Sequence, residues 1–390
     1  MNTDLIYLDH NATTAPHAEV VQEMGDALQR AWANPSSTHE PGQAARRLLV
    51  DARARVAAFL GCQVAELVFT SGATESNTSA VLGALALHAG TARQRLVMSA
   101  VEHPGLLALG QKLQAQGVVL DLIPVRPDGT LDLAAAAALI GDDVALVSVM
   151  GANNETGVLM PTAALAQLAH AAGALLHVDA TQLPGKTALS FRDSGADLMS
   201  VSAHKLHGPK GVGGLIVRKG LALPALLPGR QERHRRGGTE NMPGIAGFAA
   251  ACDVASRSLA QDIGHMAGLR NSLQQALAAL PGVVVYGAGA ERLPNTLCLR
   301  FAELDSEQVL GKLERAGLVA SSGAACTAAG TQPSHVLLAM GATALQAKAS
   351  VRFSLGRDTS AAEVQRAIAA VQRVIAPLLQ EQQTAQADAA

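Results

Sequence analysis

Short apolar segments alternate with longer amphipathic segments through the first part of the chain. Between residues 64 and 219 the apolar segments are rich in β-branched residues; they are ELVFTSG, RLVMSA, VALVSVM, ALLHVDA, LMSVSAH and GLIVRK. The segments between them, such as TESNTSAVLGALALHA and PTAALAQLAHAAG, have the apolar spacing of helices. Strands that alternate with helices predict βαβ units, and hence an α/β fold whose mostly parallel sheet has helices on both faces.

The pattern changes after Pro243. A long helical stretch is followed by strands and helices in the order GVVVYG, NTLCLRF, SEQVLGKLERAG, SVRFSLG and SAAEVQRAIAAVQRVIAPLLQEQ. This order is typical of a smaller α+β domain. We therefore predict a large domain over residues 16–250 and a small domain formed by residues 1–15 and 251–390.

Composition and charge indicate which class of binding partner to expect. The chain has 390 residues, of which 49% are hydrophobic and 16% charged, which is typical of a globular protein with a large core. A net charge of -2 gives no reason to expect nucleic acid or a membrane surface as a partner, and the basic cluster RQERHRRGG has no interleaved aromatic residues. The chain start lacks the pattern of a signal peptide, and no uncharged apolar run reaches the roughly 18 residues of a membrane span. We expect a cytoplasmic protein with a small-molecule partner.

The four cysteines lie far apart, without a CxxC pair or metal-ligand spacing. This argues against a disulfide framework and against a zinc site. Cys252 and Cys298 fall in apolar helix and strand patterns, so we predict that both are packed core thiols. Cys326 differs because it lies in VASSGAACTAAGTQ, among residues too small to pack around it.

Polar residues follow five of the predicted strands. They are Ser71 to Thr74, Glu102 and His103, Asn153 to Glu155, Asp179 and Gln182, and Ser202, His204 and Lys205. Ligands of parallel sheets bind outside the carboxyl ends of the strands, where these residues would meet. Turns and helix caps account for Ser71, Thr74 and Asn153, but not for the histidines, the acid and the lysine.

The stretch TSGATESN places small and hydroxyl residues at a strand-to-helix junction. Free backbone N–H groups and the positive end of the helix dipole can bind an anion such as phosphate at such a junction. An ordinary glycine turn before a helix has the same pattern, so the stretch alone leaves both interpretations open.

Asp179 and Lys205 end neighbouring predicted strands, in LLHVDATQLPGK and LMSVSAHKLHGPKGVGG. Pyridoxal phosphate requires such a pair, because the lysine binds the cofactor covalently and the carboxylate partners its ring N–H. A salt bridge is the alternative. Lys205 directly follows a β-rich apolar run and is flanked by Ser, His and Gly, a setting typical of a partly desolvated, reactive amine.

At these residues the sequence resembles the cysteine desulfurases of the NifS/IscS type, within the class V, fold-type I pyridoxal-phosphate enzymes. The resemblance extends over nearly the whole chain, through YLDHNATT, TSGATESN, NNETG, HVDATQLPGK, SAHKLHGPKGVGG, RRGGTEN, SSGAACT, PSHVLLAMG and VRFSLGR. Many motifs in matching order are more specific than any single one.

The resemblance implies a set of site residues. Lys205 would hold pyridoxal 5'-phosphate, Asp179 would partner its ring nitrogen and His103 would stack on its face. Asn154 and Gln182 would lie near the phenolic oxygen. The phosphate would be bound by Ala73, Thr74, Ser202 and His204.

The resemblance also implies how the site is completed and what it does. Thr239 would reach in from the second subunit of a homodimer, and Arg352 with Asn154 would bind the substrate L-cysteine. Lys205 and Cys326 would be catalytic together with His103, with Lys205 taking the Cα proton and Cys326 receiving the sulfur as a persulfide. L-alanine would be released, and the sulfur would pass to an acceptor or iron-sulfur scaffold protein.

Other readings remain open at this point. A selenocysteine lyase, or another reaction of the class V aminotransferases, would use the same fold without needing Cys326. A non-catalytic platform for iron-sulfur assembly proteins would retain only the fold. The sulfur could serve nitrogenase clusters, housekeeping clusters or tRNA thiolation, and RRGGTENMPG and SHVLLAMG favour the nitrogenase-associated type.

Overall fold

The computed structural model describes residues 5–322 and 332–388, so Cys326 lies outside the described residues. The strands in these ranges are β1 Ile6–Tyr7, β2 Leu67–Thr70, β3 Arg95–Ser99, β4 Leu120–Ile123, β5 Val144–Met150, β6 Leu175–Asp179, β7 Leu198–Ser202, β8 Gly213–Val217, β9 Val283–Val285, β10 Thr296–Phe301, β11 Leu318–Val319, β12 Ser321–Ser322 and β13 Ser350–Ser354. The helices are α1 Ala18–Arg30, α2 Glu40–Leu60, α3 Ala73–Leu87, α4 Pro104–Ala115, α5 Leu133–Leu139, α6 Thr162–Ala171, α7 Phe191–Ser194, α8 Gln231–His234, α9 Met242–Ala278, α10 Ser306–Arg315, α11 His335–Ala339, α12 Ala344–Lys348, α13 Ala361–Val374 and α14 Ala376–Asp388.

In the described part of the chain, the largest sheet has seven strands in the order β2-β8-β7-β6-β5-β3-β4. Strand β8 is antiparallel to both neighbours, and the other pairs are parallel. The connection from β7 to β8 is only a 3-10 turn and a short loop, too short for the crossover that a parallel pair needs. The predicted mostly parallel α/β sheet is therefore confirmed, with one reversed strand.

Helices cover both faces of this sheet. One hydrophobic cluster joins α3 and α4 to the sheet through residues such as Val81 and Leu106, and a second lies on the opposite face around Phe248 of α9. Cys252 and Cys298 have no exposed surface, which confirms the prediction of packed core thiols. The continuous burial of the central strands explains why they appear as apolar runs in the sequence.

A four-stranded antiparallel sheet, β12-β13-β10-β9, forms the centre of another hydrophobic cluster with α10, α13 and the end of α9. Helix α9 contributes Phe248 to the first core and Leu273 to this one. The predicted domain boundary at residue 250 falls inside α9 and stays a prediction. None of the described helices is long and apolar enough to cross a membrane.

Strand β4 and the final helix are among the elements that differ from the sequence prediction. Strand β4 was not predicted; it is an edge strand that pairs only with β3 and carries the charged Asp121. The final helix, predicted as one, is divided into α13 and α14 at Ile375. Pro377 explains the break, because proline in a helix interior removes a hydrogen bond and clashes with the preceding turn.

Candidate active site

A cavity of about 700 Å³ lies at the carboxyl edge of the parallel strands. Of the predicted site residues that the structure describes, all except Thr239 meet there; those lining the cavity are Ala73, Thr74, His103, Asn154, Asp179, Gln182, Ser202, His204, Lys205 and Arg352. Thr239 lines a separate cavity of about 160 Å³. The expectation that five strand ends deliver polar groups to one edge therefore matches the structure.

The junction where β2 leads into α3 has a geometry suited to binding an anion. Gly72 precedes the helix with a φ of 149°, and no side chain caps the first turn, so its N–H groups are available to a ligand. Gly213 of β8 lies against this turn so closely that a Cβ would be 2.7 Å from the Gly72 Cα. The close contact therefore requires glycine at position 213, and the positive φ favours glycine at position 72.

His204 also lines the cavity, as a neutral imidazole. Burial, together with the nearby charge of Lys205, lowers the pKa of His204 to about 4. Its Nδ1 is 3.1 Å from the Thr13 hydroxyl, which fixes the ring. A neutral, oriented ring can donate one hydrogen bond to a phosphate oxygen.

Asp179 presents an oriented carboxylate to the cavity. Its Oδ2 accepts a hydrogen bond from Asn77 Nδ2 at 2.7 Å, and its Oδ1 accepts one from the Thr181 N–H at 3.0 Å. Asn77 belongs to the TSGATESN motif but had no predicted role, because its contact partner is 102 positions away in the sequence.

Glu102 is a second buried carboxyl close to Asp179. It has no exposed surface, and its Oε1 accepts a hydrogen bond from the Met150 N–H at 2.6 Å. Burial and then the negative charge of Asp179 raise the pKa of Glu102 well above its usual range. Both effects favour the protonated form of the Glu102 carboxyl.

His103 both begins α4 and faces the cavity. Its Nδ1 accepts a hydrogen bond from the Gly105 N–H at 3.1 Å, so the neutral ring carries its proton on Nε2. Burial lowers the pKa of His103 below its ordinary value. The ring is thus held neutral and in a fixed orientation at the end of β3.

Lys205 lies on the 3-10 turn after β7. Its Nζ donates to the backbone carbonyls of Asn11 at 2.5 Å and Ala12 at 2.8 Å. The amine is thereby directed along the cavity wall that the N-terminal segment forms. Neither Asn11 nor the neighbouring Lys186 was predicted as a site residue, although both lie in motifs noted above.

Arg352 enters the cavity from β13 of the second sheet. It is only 2% exposed, its Nη2 lies 2.6 Å from Asp9 Oδ1, and its Nη1 donates to the Asn154 carbonyl at 3.0 Å. Its buried Nε has no hydrogen-bond partner among the described residues. A buried, oriented guanidinium with unused N–H groups is suited to binding a carboxylate.

These groups match what pyridoxal phosphate needs. An uncapped helix terminus with a neutral imidazole suits the phosphate, an oriented carboxylate suits the ring nitrogen, and Lys205 supplies the amine. All three lie around one cavity. The chain's residues therefore fit the cofactor that its sequence predicts.

Glu155 links the turn after β5 to the start of α11. It is 3% exposed, and its Oε2 accepts a 2.5 Å hydrogen bond from the hydroxyl of Ser334, the residue that caps α11. Burial raises the pKa of Glu155 to about 7, against an opposing effect of the Ser334 hydrogen bond and Arg352. A buried carboxyl next to Asn154 therefore changes charge near neutral pH.

We expect Glu155→Gln to become more stable relative to the wild type as the pH rises from 5 to 8. The folded protein holds the Glu155 proton more tightly than the unfolded chain does. The protonated Glu155 therefore contributes to wild-type stability fully below about pH 4.5, and this contribution is lost as the pH rises through about 7. The gain should reach at most about 3 kcal/mol. Thermal unfolding across the pH range measures it, with the exposed Glu303→Gln as control; parallel curves for Glu155→Gln and the wild type would contradict the prediction.

The arginines of the basic cluster RQERHRRGG hold their loop in place. Arg233 and Arg235 donate to the backbone carbonyls of Val64 and Ala65, and Arg236 pairs with Glu75 at 2.9 Å. Glu232, between them, forms a buried salt bridge with Arg53. Most of this charge is therefore used to fix the loop against β2.

Comparison with known proteins gives a consistent result. The family model described as Aminotransferase class-V matches residues 6–367. A cysteine desulfurase of Rhodobacter capsulatus is 45% identical over 97% of this chain and 98% of that protein, and Cysteine desulfurase NifS of Azotobacter vinelandii is 41% identical over 96% and 93%. A solved structure of a NifS-like protein superposes with a TM-score of 0.89 at 33% identity, covering 95% of this chain and 99% of that chain.

The match extends over nearly the full length of both partners in each comparison, so it includes both sheets and the cavity between their residues. The chain therefore belongs to the class-V aminotransferase family, whose members depend on pyridoxal phosphate, and it groups there with the cysteine desulfurases.

Proposed function

We propose that this protein is a cysteine desulfurase that converts L-cysteine to L-alanine and carries the sulfur as a persulfide on Cys326. The observation that carries the proposal is that Lys205, Asp179 and His103 line one cavity, which Arg352 also lines. Relatives at over 40% identity that are named cysteine desulfurase support the same activity.

In this proposal different residues of the cavity bind different parts of the cofactor. Thr74, Ser202, His204 and the backbone at Ala73 bind the phosphate, and Asp179 partners the ring nitrogen. His103 stacks on the ring, and Asn154 and Gln182 lie at the phenolic oxygen. Bound pyridoxal phosphate supplies an electron sink for bond cleavage at the substrate Cα.

The protein's own groups bind the substrate and move its proton. Arg352 pairs with the carboxylate of L-cysteine through the N–H groups that Asp9 and the Asn154 carbonyl leave unused. Lys205 takes the proton from the substrate Cα, as a general base whose amine lies on the cavity wall. Asp179, held by Asn77 and Thr181, keeps its negative charge in place throughout.

Sulfur transfer follows at Cys326. The thiolate forms an S–S bond with the substrate sulfur, the substrate C–S bond breaks, and the carbon takes up a proton to leave L-alanine. The enzyme thiol thus ends as a persulfide, and no external oxidant is needed. A cysteine bordered by small residues and Gly323 is suited to pass sulfur onward, here to an iron-sulfur scaffold of the NifS pathway.

The proposal includes a cytoplasmic homodimer. Thr239 lies in a separate cavity of its own chain rather than at the large one, which is compatible with a role in the site of a second subunit.

Cys326→Ser tests the function. With L-cysteine and a reductant, we expect sulfide release to fall at least about tenfold and the persulfide mass to disappear, because no thiolate receives the sulfur. Cys62→Ser is the matched control, since burial raises the pKa of Cys62 to about 12 and keeps it a thiol.

Mass spectrometry and alanine and sulfide assays measure the result. Wild-type sulfide release by Cys326→Ser would refute the persulfide step. Turnover of selenocysteine without turnover of L-cysteine would instead identify a selenocysteine lyase.

A further inference from the structure

Lys186 is a buried amine without a carboxylate partner among the residues that the structure describes. It is 5% exposed, and its Nζ donates to Gln182 Oε1 at 2.6 Å and to Asn11 Oδ1 at 3.1 Å. Burial, then the nearby charges of Lys205 and Arg352, lower the pKa of Lys186 well below its usual value. Burying a lysine amine costs free energy, and its two hydrogen bonds offset part of that cost.

The first bond fixes which way the Gln182 amide faces. Its Oε1 is used by Lys186, and its Nε2 donates to the Asn11 carbonyl at 3.0 Å. The reversed amide would place N–H groups against the lysine and an oxygen against a carbonyl, so only this orientation is satisfied. Since Gln182 lines the cavity, what it can offer a ligand there is its remaining N–H.

The second bond holds Asn11, which connects the two sheets. Asn11 Oδ1 accepts from Lys186 and from Asn295 Nδ2 at 3.0 Å, and its Nδ2 donates to the Thr296 hydroxyl at 2.8 Å. Its backbone carbonyl accepts from Gln182 and from Lys205. One residue that is 1% exposed therefore positions the lysine of the site, and Lys186 is among its supports.

We propose that Lys186 is a positioning residue that fixes the Gln182 amide as a hydrogen-bond donor to the cofactor's phenolic oxygen and holds Asn11 where it receives Lys205. The inference rests on the proposed function, because it takes Lys205 and Gln182 as cofactor-binding residues. Without Lys186, Gln182 Oε1 would lose its hydrogen-bond donor, and Asn11 Oδ1 would lose one of its two donors. Both oxygens belong to buried side chains, so the loss is costly.

The test compares holoenzymes of the wild type, Lys186→Met and Lys186→Arg, with the exposed Lys112→Met as matched control. Because a buried hydrogen bond to the cofactor's binding group is lost, Lys186→Met should release pyridoxal phosphate at least about tenfold faster on dilution. It should also shift the visible absorption maximum and lower kcat more than it changes KM. Lys186→Arg, which keeps N–H donors, should restore part of the retention.

A double-mutant cycle with Gln182→Met separates positioning from simple stability. If Lys186 acts through Gln182, then Lys186→Met adds little to the absorbance shift of Gln182→Met. A Lys186→Met protein with lower thermal stability but wild-type cofactor retention, absorbance and kcat would overturn the inference. Should Lys186→Met not fold, Lys186→Gln is measured by the same criteria.

The outcome is distinguishable from failure of the proposed function. If the wild type forms no alanine from L-cysteine while the retention and absorbance effects of Lys186→Met appear, the function fails and the positioning role stands. If the wild type is active and Lys186→Met matches it, the positioning role fails alone.

Discussion

Lys205→Ala is expected to lose the yellow colour of the holoenzyme and to form alanine from L-cysteine at least about 10⁴-fold more slowly, since one amine serves as covalent anchor and as general base. Absorbance spectra and alanine assays measure both effects. A small primary amine added in solution should restore a fraction of the rate, because it can replace the missing base but not its position.

Thermal unfolding shows whether the loss is chemical. Lys205→Ala leaves the carbonyls of Asn11 and Ala12 without this donor, so a modest decrease in stability is expected. The exposed Lys219→Ala should behave as the wild type in all three measurements. A yellow, active Lys205→Ala protein would remove the basis of the proposed function.

Asp179→Asn is expected to lower kcat/KM for L-cysteine by about 10²- to 10³-fold, because it removes a preorganised charge from the site. The fold should persist. The Asn77 Oδ1 is buried without a partner among the described residues, so the Asn77 amide can turn to accept a hydrogen bond from the new side chain.

Glu102→Gln is the matched control for Asp179→Asn. Both carboxyls are buried, but burial and then the negative charge of Asp179 raise the pKa of Glu102 well above its usual range, so a neutral amide replaces Glu102 more closely than it replaces Asp179. We expect steady-state kinetics of Glu102→Gln within a few-fold of the wild type. Equal losses in the two variants would show that the charge of Asp179 is not what matters.

Residues at strand ends were predictable because the apolar runs are long and continuous. Asp179 and Lys205 stand out where buried strands β6 and β7 end, and parallel topology brings those ends together. The family resemblance supplied the role of each residue, which periodicity does not encode. Both the hydrophobic pattern and the family motif therefore identify Lys205 as a candidate site residue.

The supporting residues could not be predicted in the same way. Asn11 is 175 positions from Lys186 and 284 from Asn295, so no local pattern connects them. The pairing of Glu155 with Ser334 and the contact of Asn77 with Asp179 are likewise set only by tertiary packing. The reversed direction of β8 follows from the short connection between β7 and β8. Strand β4 forms because it pairs with β3 at the edge of the sheet, and its own sequence has no continuous apolar run.

The connections of residues 6–14 have a consequence for biosynthesis. This segment is made early, yet β1 pairs with β11, Asp9 with Arg352, and Asn11 with Asn295. Asn295 is synthesised 284 residues after Asn11, and Arg352 343 residues after Asp9, whereas the strands of the large sheet can associate sooner. The wall that receives Lys205 therefore gains these contacts only after the strands of the large sheet have been synthesised.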